Sequence, residues 1–201
     1  KEESVAMQEV VAGIETAGNM IKTSGGSFEW FTSVIGTLSE VMNASGSETA
    51  NAMKMIAART LKSKEAIDEW VDSGENMEDI EIAAANAEKA LNSIGLSART
   101  SNGDFKDLEV ILGEVAAKWN TLSDATKQYV SEQMAGNNRR SYFIGLMENY
   151  SRVEELQTKA ENSSGKLMEA SEKKANSLEG QLNKLQNAWA RLYEAMINGS
   201  V

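Results

Sequence analysis

FEWFTSVIGTLSEVMNASGSETANAMKMIAARTL, residues 28–61, decides the fold class. Phe28, Phe31, Ile35, Leu38 and Met42 recur at intervals of three and four, the spacing that gathers side chains on one face of a helix. "NASGS" (43–47) breaks the pattern with turn-forming residues. Ser45 followed three residues later by Glu48 has the spacing of a capping box, in which hydroxyl and carboxylate each satisfy the other's backbone N–H. A second helix is therefore predicted to about Leu61, with Met53, Ile56 and Ala57 inward. Upstream, Met7, Val10, Val11, Ile14, Ala17 and Ile21 show the same periodicity, ended by "KTSGGS" (22–27). Three helices in sequence predict a bundle.

Downstream the pattern continues. Ile67, Trp70 and Val71 form a short amphipathic segment interrupted by "DSGEN" (72–76), and Ile80, Ala84, Ala87, Leu91 and Ile94 define another helix, with Gly95 as its left-handed cap. "GLSARTSNGDFKDL" (95–108) differs. Asn102-Gly103 is the favoured pair for a type I′ turn and its flanks partly alternate, which predicts a small β-hairpin near residues 96–106. Asp107 is then placed to cap a helix carrying Leu108, Ile111, Leu112, Val115 and Trp119. Ser123 is placed to cap the next, with Tyr129, Val130 and Met134 inward. A helix from about Asn138 to Glu161 follows, with Phe143, Leu146, Met147, Tyr150, Val153 and Leu156 on one side, and "ENSSG" (161–165) predicts a break.

"AGNNRRSYFIGLMENY" (135–150) concentrates a turn, charge and an apolar anchor. Gly136 closes one helix, while Arg139 and Arg140 fall in the first turn of the next, where a cation opposes the helix dipole at a cost of roughly 0.3–1 kcal/mol. Three environments suit them: the free carbonyls ending the preceding helix, a carboxylate from the acidic first half held by a bidentate fork, or plain solvation on a surface turn. Phe143, Leu146 and Met147 read as the core anchor of this corner. One glycine after a helix is unlike a phosphate-binding loop, so nucleotide binding is not expected.

From Met168 the inward candidates Met168, Ser171, Ala175, Leu178, Leu182, Leu185, Trp189, Leu192 and Met196 alternate spacings of three and four, a heptad seam with one polar member. A helix from Ser164 to Asn198 would be about 50 Å long, more than a compact domain of this size needs. An antiparallel bundle gives nearly the same periodicity as a coiled coil, and Gly180 and the bulk of Trp189 argue against a tight parallel seam. The reading is all-α: an elongated helical bundle in segments 1–64, 65–162 and 163–201, the last coiled-coil-like.

Composition restricts the chemistry. The 201 residues carry no Cys and no His, which removes the thiol nucleophile, the imidazole base, the disulfide and the usual zinc site. No metal or other cofactor is expected. The complete absence of Pro, against a usual share of about 5%, removes the strongest helix breaker. A net charge of −10 repels nucleic acid phosphates and anionic membranes. Residues 1–100 hold 8 basic and 16 acidic side chains and the remainder 12 and 14, making the second half the expected contact surface for acidic partners. No apolar run approaches the ~20 residues that span a bilayer. The chain reads as soluble, and, opening at Lys1 in mid-pattern, as a segment of a longer protein.

Several blocks, in order, resemble the core of phage tail tape measure proteins of siphophages from Gram-positive hosts. "SIGLSARTSNGDFKDLEVILGEVAAKW" resembles that family's helix, polar turn and helix ending in "KW". "LSDATKQYVSEQMAGNNRRSYFIGLMENY" resembles its most specific signature, A-G-x-x-R…F…LMEN. "ENSSGKLMEASEKKANSLEGQLNKLQNAWARL" resembles the tail of that core, and residues 28–61, ending in an Arg near Arg59, resemble the helix pair before it. The matches span about residues 27–195. Gly145 departs from an expected Ala, Ser151 and Arg152 from Asp and Lys, and Asn137-Asn138 from a site that often holds Thr or Lys.

The resemblance implies a non-enzymatic structural protein that lines the tail tube, sets tail length and leaves at DNA ejection. It implies self-association, with a trimer among the states it allows, and contacts with the tail tube protein, tail assembly chaperones and distal tail or baseplate proteins. Its place would be the virion tail, after assembly in the host cytoplasm. From the residues alone, a helical binding or signalling module acting through a coiled coil is the alternative. Some tape measure proteins carry peptidoglycan hydrolase domains, but glutamates such as Glu148 and Glu154 fall at helical spacing on predicted outer faces, not across a cleft.

Overall fold

Ser27 starts helix α1 (Phe28–Met42): its side chain accepts from the Trp30 N–H at 3.1 Å, the bond that satisfies one of the orphan donors at a helix start. The structure, a computed structural model, describes residues 11–14, 16–17, 23–61 and 77–171, and the side chains of these except 77–80 and 163–171. α1 ends at Asn43, the one non-glycine residue with positive φ (48°) among those described, a conformation asparagine tolerates better than most side chains. Helix α2 (Gly46–Leu61) then begins with the predicted capping box. The Ser45 N–H donates to the Glu48 carboxylate at 3.0 Å, and the Glu48 N–H donates to Ser45 Oγ at 3.3 Å.

The remaining elements are α3 (Met77–Ser93), α4 (Leu108–Trp119), α5 (Asp124–Ala135), a 3-10 turn (Asn137–Arg139), α6 (Arg140–Glu148) and α7 (Tyr150–Ser171). The protein is all-α, with no sheet among the described residues. α2 packs on α1, α3 and α5, while α6 packs on α1, α4 and α5. Phe31, Ile35, Leu38, Met53, Ile56 and Phe143 are fully buried at the centre, each large apolar side chain contributing on the order of 1.5–3 kcal/mol. The chain divides into two compact units, residues 1–158 and 159–201. Residues 159–171, the described part of the second, are helical throughout.

α2 departs most from a one-faced amphipathic reading. Besides Met53, Ile56 and Ala57, it buries Thr49, Ala50, Ala52, Ala58 and Thr60, so neighbours cover it on several sides. Its small side chains allow that approach, and Thr60 satisfies its hydroxyl on the Ile56 carbonyl at 2.7 Å. Gly46 at its start is also buried, and a Cβ added at Gly13 would stand 3.2 Å from the Gly46 carbonyl and 2.8 Å from Ile35 Cγ2. Thr16 Oγ1, three residues on from Gly13, bonds to Ser47 Oγ at 3.1 Å.

α3 ends as predicted at Gly95 (φ 71°). The Leu96 N–H reaches Leu91 O at 2.9 Å and the Gly95 N–H reaches Asn92 O at 3.0 Å, the paired bonds of a Schellman cap. Lys118 Nζ satisfies the Ile94 carbonyl at 2.9 Å and so ties α4 to that end.

Several expectations are corrected. The hairpin near 96–106 shrinks to a single bridge, Arg99 to Phe105. Asn102 does not adopt the positive φ that a type I′ turn requires. The turn closes instead through the Gly103 N–H on Thr100 O at 3.0 Å, with only Gly103 left-handed (φ 91°), a three-residue loop with its glycine last. Arg99 holds this loop by bonding Gly103 O at 2.9 Å and Glu88 at 3.2 Å, its guanidinium 4.0 Å from the centre of the Phe105 ring. Asp107 occupies the N-cap of α4 without a side-chain cap bond; a Cβ added at Gly25 would collide with its carboxylate. Tyr129 is 42% exposed, unlike Val130 and Met134. Phe28 and Met42, at the ends of α1, are only half-buried.

The single helix expected over 138–161 is broken at Asn149, whose amide donates to Gly145 O at 2.9 Å and so competes with the backbone ladder. Asn149 O then accepts from the Arg152 N–H at 2.9 Å to start α7. No break occurs at 161–165, where α7 runs on to Ser171; one glycine costs only ~1 kcal/mol within a helix. The segment around Ile67, Trp70 and Val71 and the heptad positions beyond Ser171 lie outside the described residues.

Two glycine substitutions separate close packing from spare room. Gly145→Ala should leave stability unchanged or raise it by up to ~1 kcal/mol, because the one tight contact of the added Cβ is with Sδ of the flexible Met42 side chain, at 3.0 Å, and Leu38 Cδ2 stands at an ordinary 3.7 Å. Gly13→Ala should cost about 1–3 kcal/mol by overpacking against Ile35 and the Gly46 backbone. Urea denaturation of both variants checks the contrast, and equal effects would contradict this packing.

Candidate functional site

The corner is built on the end of α5. Its Gly136 N–H bonds to Glu132 O at 2.8 Å and its φ of 71° lies where side chains are disfavoured. The next free carbonyl, Gln133 O, accepts from Arg59 Nε at 3.2 Å. Arg59 sits in the last turn of α2, so one guanidinium lies at the negative ends of two helices, where a cation stabilises. It also fixes the glycine: a Cβ at position 136 would stand 3.2 Å from Arg59 Nη1. The preceding helix end does meet an arginine, but one from residue 59 and not from the adjacent pair.

Arg139 and Arg140 take different places. Arg139 closes the 3-10 turn, its guanidinium 5.9 Å from the centre of the Tyr142 ring. Its charge also reaches Glu48. Hydrogen bonds from the Ser45 backbone and hydroxyl hold the Glu48 carboxyl below its ordinary range, and Arg139 adds to them as the smallest contribution. Among the described residues no bidentate fork forms. Arg140 opens α6 half-buried and makes no ion pair among the described residues. Phe143 and Leu146 are fully buried and Met147 nearly so, and Phe143 meets Trp119 edge-on at 6.0 Å. Leu178, Leu182, Leu185, Trp189 and Leu192 lie outside the described residues.

Beyond Asn149, Tyr150 joins three elements. Its hydroxyl accepts from Trp30 Nε1 at 3.0 Å and donates weakly to Glu109 O at 3.4 Å. The Glu109 carboxylate accepts from the Ser27 N–H and from Gln157 Nε2, both at 2.8 Å. Burial pushes the Tyr150 phenol up to about 12, partly offset by the Trp30 bond, with Glu109 and Glu154 raising it further. Sequence reading treated Tyr150 only as an apolar face member and assigned no role to Arg59, Glu109 or Trp30. Periodicity finds helical faces, but these bonds join residues far apart in the chain.

Beside the corner lies an open cleft of about 420 Å³, walled by Met55 and Arg59 of α2, Ile82 and Asn86 of α3, and the 136–139 turn. Among the described residues no group of acidic side chains is arranged to hold a metal ion, and no helix is long and apolar enough to cross a membrane.

Helices locked at a capped corner, with polar groups spent on helix ends, define an all-α protein organised for packing. Residues 1–136 match the model of the phage-related minor tail protein family, and the chain belongs to that family. It is thus a structural component of a phage tail. No solved structure matches it.

Gly136→Ala should destabilise the protein by about 1–3 kcal/mol, through positive φ and contact with Arg59, with Arg59→Met rescuing only the contact share; thermal melts of the single and double variants measure the coupling. Tyr150 predicts an alkaline limb. Its pKa of about 12 exceeds the ordinary 10.0, so its stabilisation is complete below about pH 10 and lost as pH rises towards 12, on the order of 2–3 kcal/mol. Tyr150→Phe should lose about 1–3 kcal/mol at neutral pH by orphaning Trp30 Nε1, and should flatten that limb. A limb of unchanged slope in the variant would assign it to other groups.

Proposed function

We propose that this chain is a segment of a tail tape measure protein, which sets tail length, occupies the tube lumen and is released when DNA is ejected. The observation that carries the reading is the order of the motif blocks over residues 27–195, which continue past the family match at Gly136. Proline-free helices suit a measuring role because each residue adds a fixed rise of ~1.5 Å. A net charge of −10 suits a protein sharing a lumen with DNA, since like charge limits adhesion. In this reading the chain acts without catalysis and self-associates, with 163–201 as a length-giving segment. Its partners are the tail tube protein, assembly chaperones and distal tail or baseplate proteins, met first in the host cytoplasm. A signalling rod would have little use for the Arg59-capped corner or the loop held by Arg99.

Deleting the 28 residues from Met168 to Ala195 in frame from the full-length protein keeps the heptad register. Tails assembled with it should be shorter by roughly 40 Å, the rise of that many helical residues. Electron micrographs measure the length, and tails of unaltered length would defeat the proposal.

A further inference from the structure

The cleft beside the corner reverses the sign of its surroundings. The chain carries a net charge of −10, yet the charged residues lining this cleft are Arg59 and Arg139, and no carboxylate is among them. Arg59 has its Nε on the α5 carbonyl. Arg139 differs: its guanidinium forms no hydrogen bond or ion pair among the described residues, its attraction to Glu48 is the smallest contribution acting on that carboxylate, and its ring contact with Tyr142 is distant at 5.9 Å. The amides of Asn86, Asn137 and Asn138 on the same walls are likewise uncommitted among the described residues. Ile82, one turn before Asn86 on α3, is 53% exposed, the most exposed large apolar side chain described.

We propose that this cleft docks an acidic segment of another tail protein, with a carboxylate on Arg139 and the neighbouring amides and an adjacent aliphatic side chain against Ile82. A guanidinium fork is the donor geometry that carboxylates match, and its charge-assisted bonds are among the stronger polar contacts. Burying Ile82 adds an apolar contribution beside them, the pairing of arginine and apolar anchor common at interface centres. A volume of about 420 Å³ holds a few side chains and falls in the range of binding clefts. Charge complementarity is local. A short carboxylate-bearing segment meets only the cationic cleft, whereas duplex DNA extends well beyond it and meets the repelling remainder of the surface.

The probe is the capped peptide acetyl-Ala-Ile-Glu-Glu-Leu-Ala-amide, titrated into the whole 201-residue chain and followed by NMR of side-chain amides and isoleucine methyls. Shifts confined to Asn86, Asn137, Asn138 and Ile82 are expected, with a Glu→Gln peptide much weaker. Arg139→Gln should weaken binding by about tenfold, as loss of a charge-assisted contact predicts, and Ile82→Ser should weaken it as well. Lys89→Gln removes the same charge from an exposed site outside the cleft and should leave binding unchanged. Backbone spectra of each variant confirm that it is folded. Shifts scattered away from the cleft, equal effects of Arg139→Gln and Lys89→Gln, or shifts produced by a DNA duplex and not by the peptide would each overturn the assignment.

Discussion

Burial of α2 on several sides is the constraint on which the rest of the fold depends. Alanines and threonines hold down its side-chain volume, so α1, α3 and α5 can all approach it. Its solvent-facing flank is reduced to residues such as Glu48 and Asn51, and its buried threonine hydroxyls find partners inside, Thr60 on the Ile56 carbonyl and Thr49 beside Ser39 Oγ at 3.4 Å. Its charged end also has to be accommodated. Arg59 lies where α2 leaves the core, and the helix packing there brings it to the carbonyl end of α5. The corner at Gly136 follows from this: a glycine is required both by the turn and by the guanidinium beside it.

Polar groups in this protein are spent mainly on closing helix ends. Ser27, the Ser45–Glu48 pair, Ser123, Lys118 and Arg59 each satisfy groups that a helix terminus leaves unpaired. Glu109 and Tyr150 extend the same economy across elements, fastening the start of α1 to α7. Exposed pairs such as Arg152 with Glu155 contribute little by comparison. A tail component of this family therefore gains its order from termini fixed in place, and the cleft at the corner carries the donors that this scheme leaves over.

Gly145 shows how local tolerance and resemblance meet. The related pattern has alanine there, and the space against Met42 leaves room for it with a small shift of a flexible side chain. The departures at Asn137 and Asn138 fall instead on the cleft wall, where the side chain faces no packing demand. Substitution at those two sites alters the lining and leaves the core intact.

Residue order alone sets the described helices and most of their ends. Apolar spacing of three and four, the S-x-x-E box and the left-handed glycines at 95 and 136 act within a few residues, and short-range bonds follow directly from residue order. Tertiary structure decided the rest. Whether Asn149 interrupts a helix or 161–165 does, whether Asn102-Gly103 makes a hairpin or a three-residue loop, and which arginine caps α5 depend on competition between a local preference and a distant partner. Arg139 and Arg140 stood next to the helix end, yet Arg59, 74 residues before Gln133, took the carbonyl because the packing of α2 against α5 brings its side chain there without straining the turn.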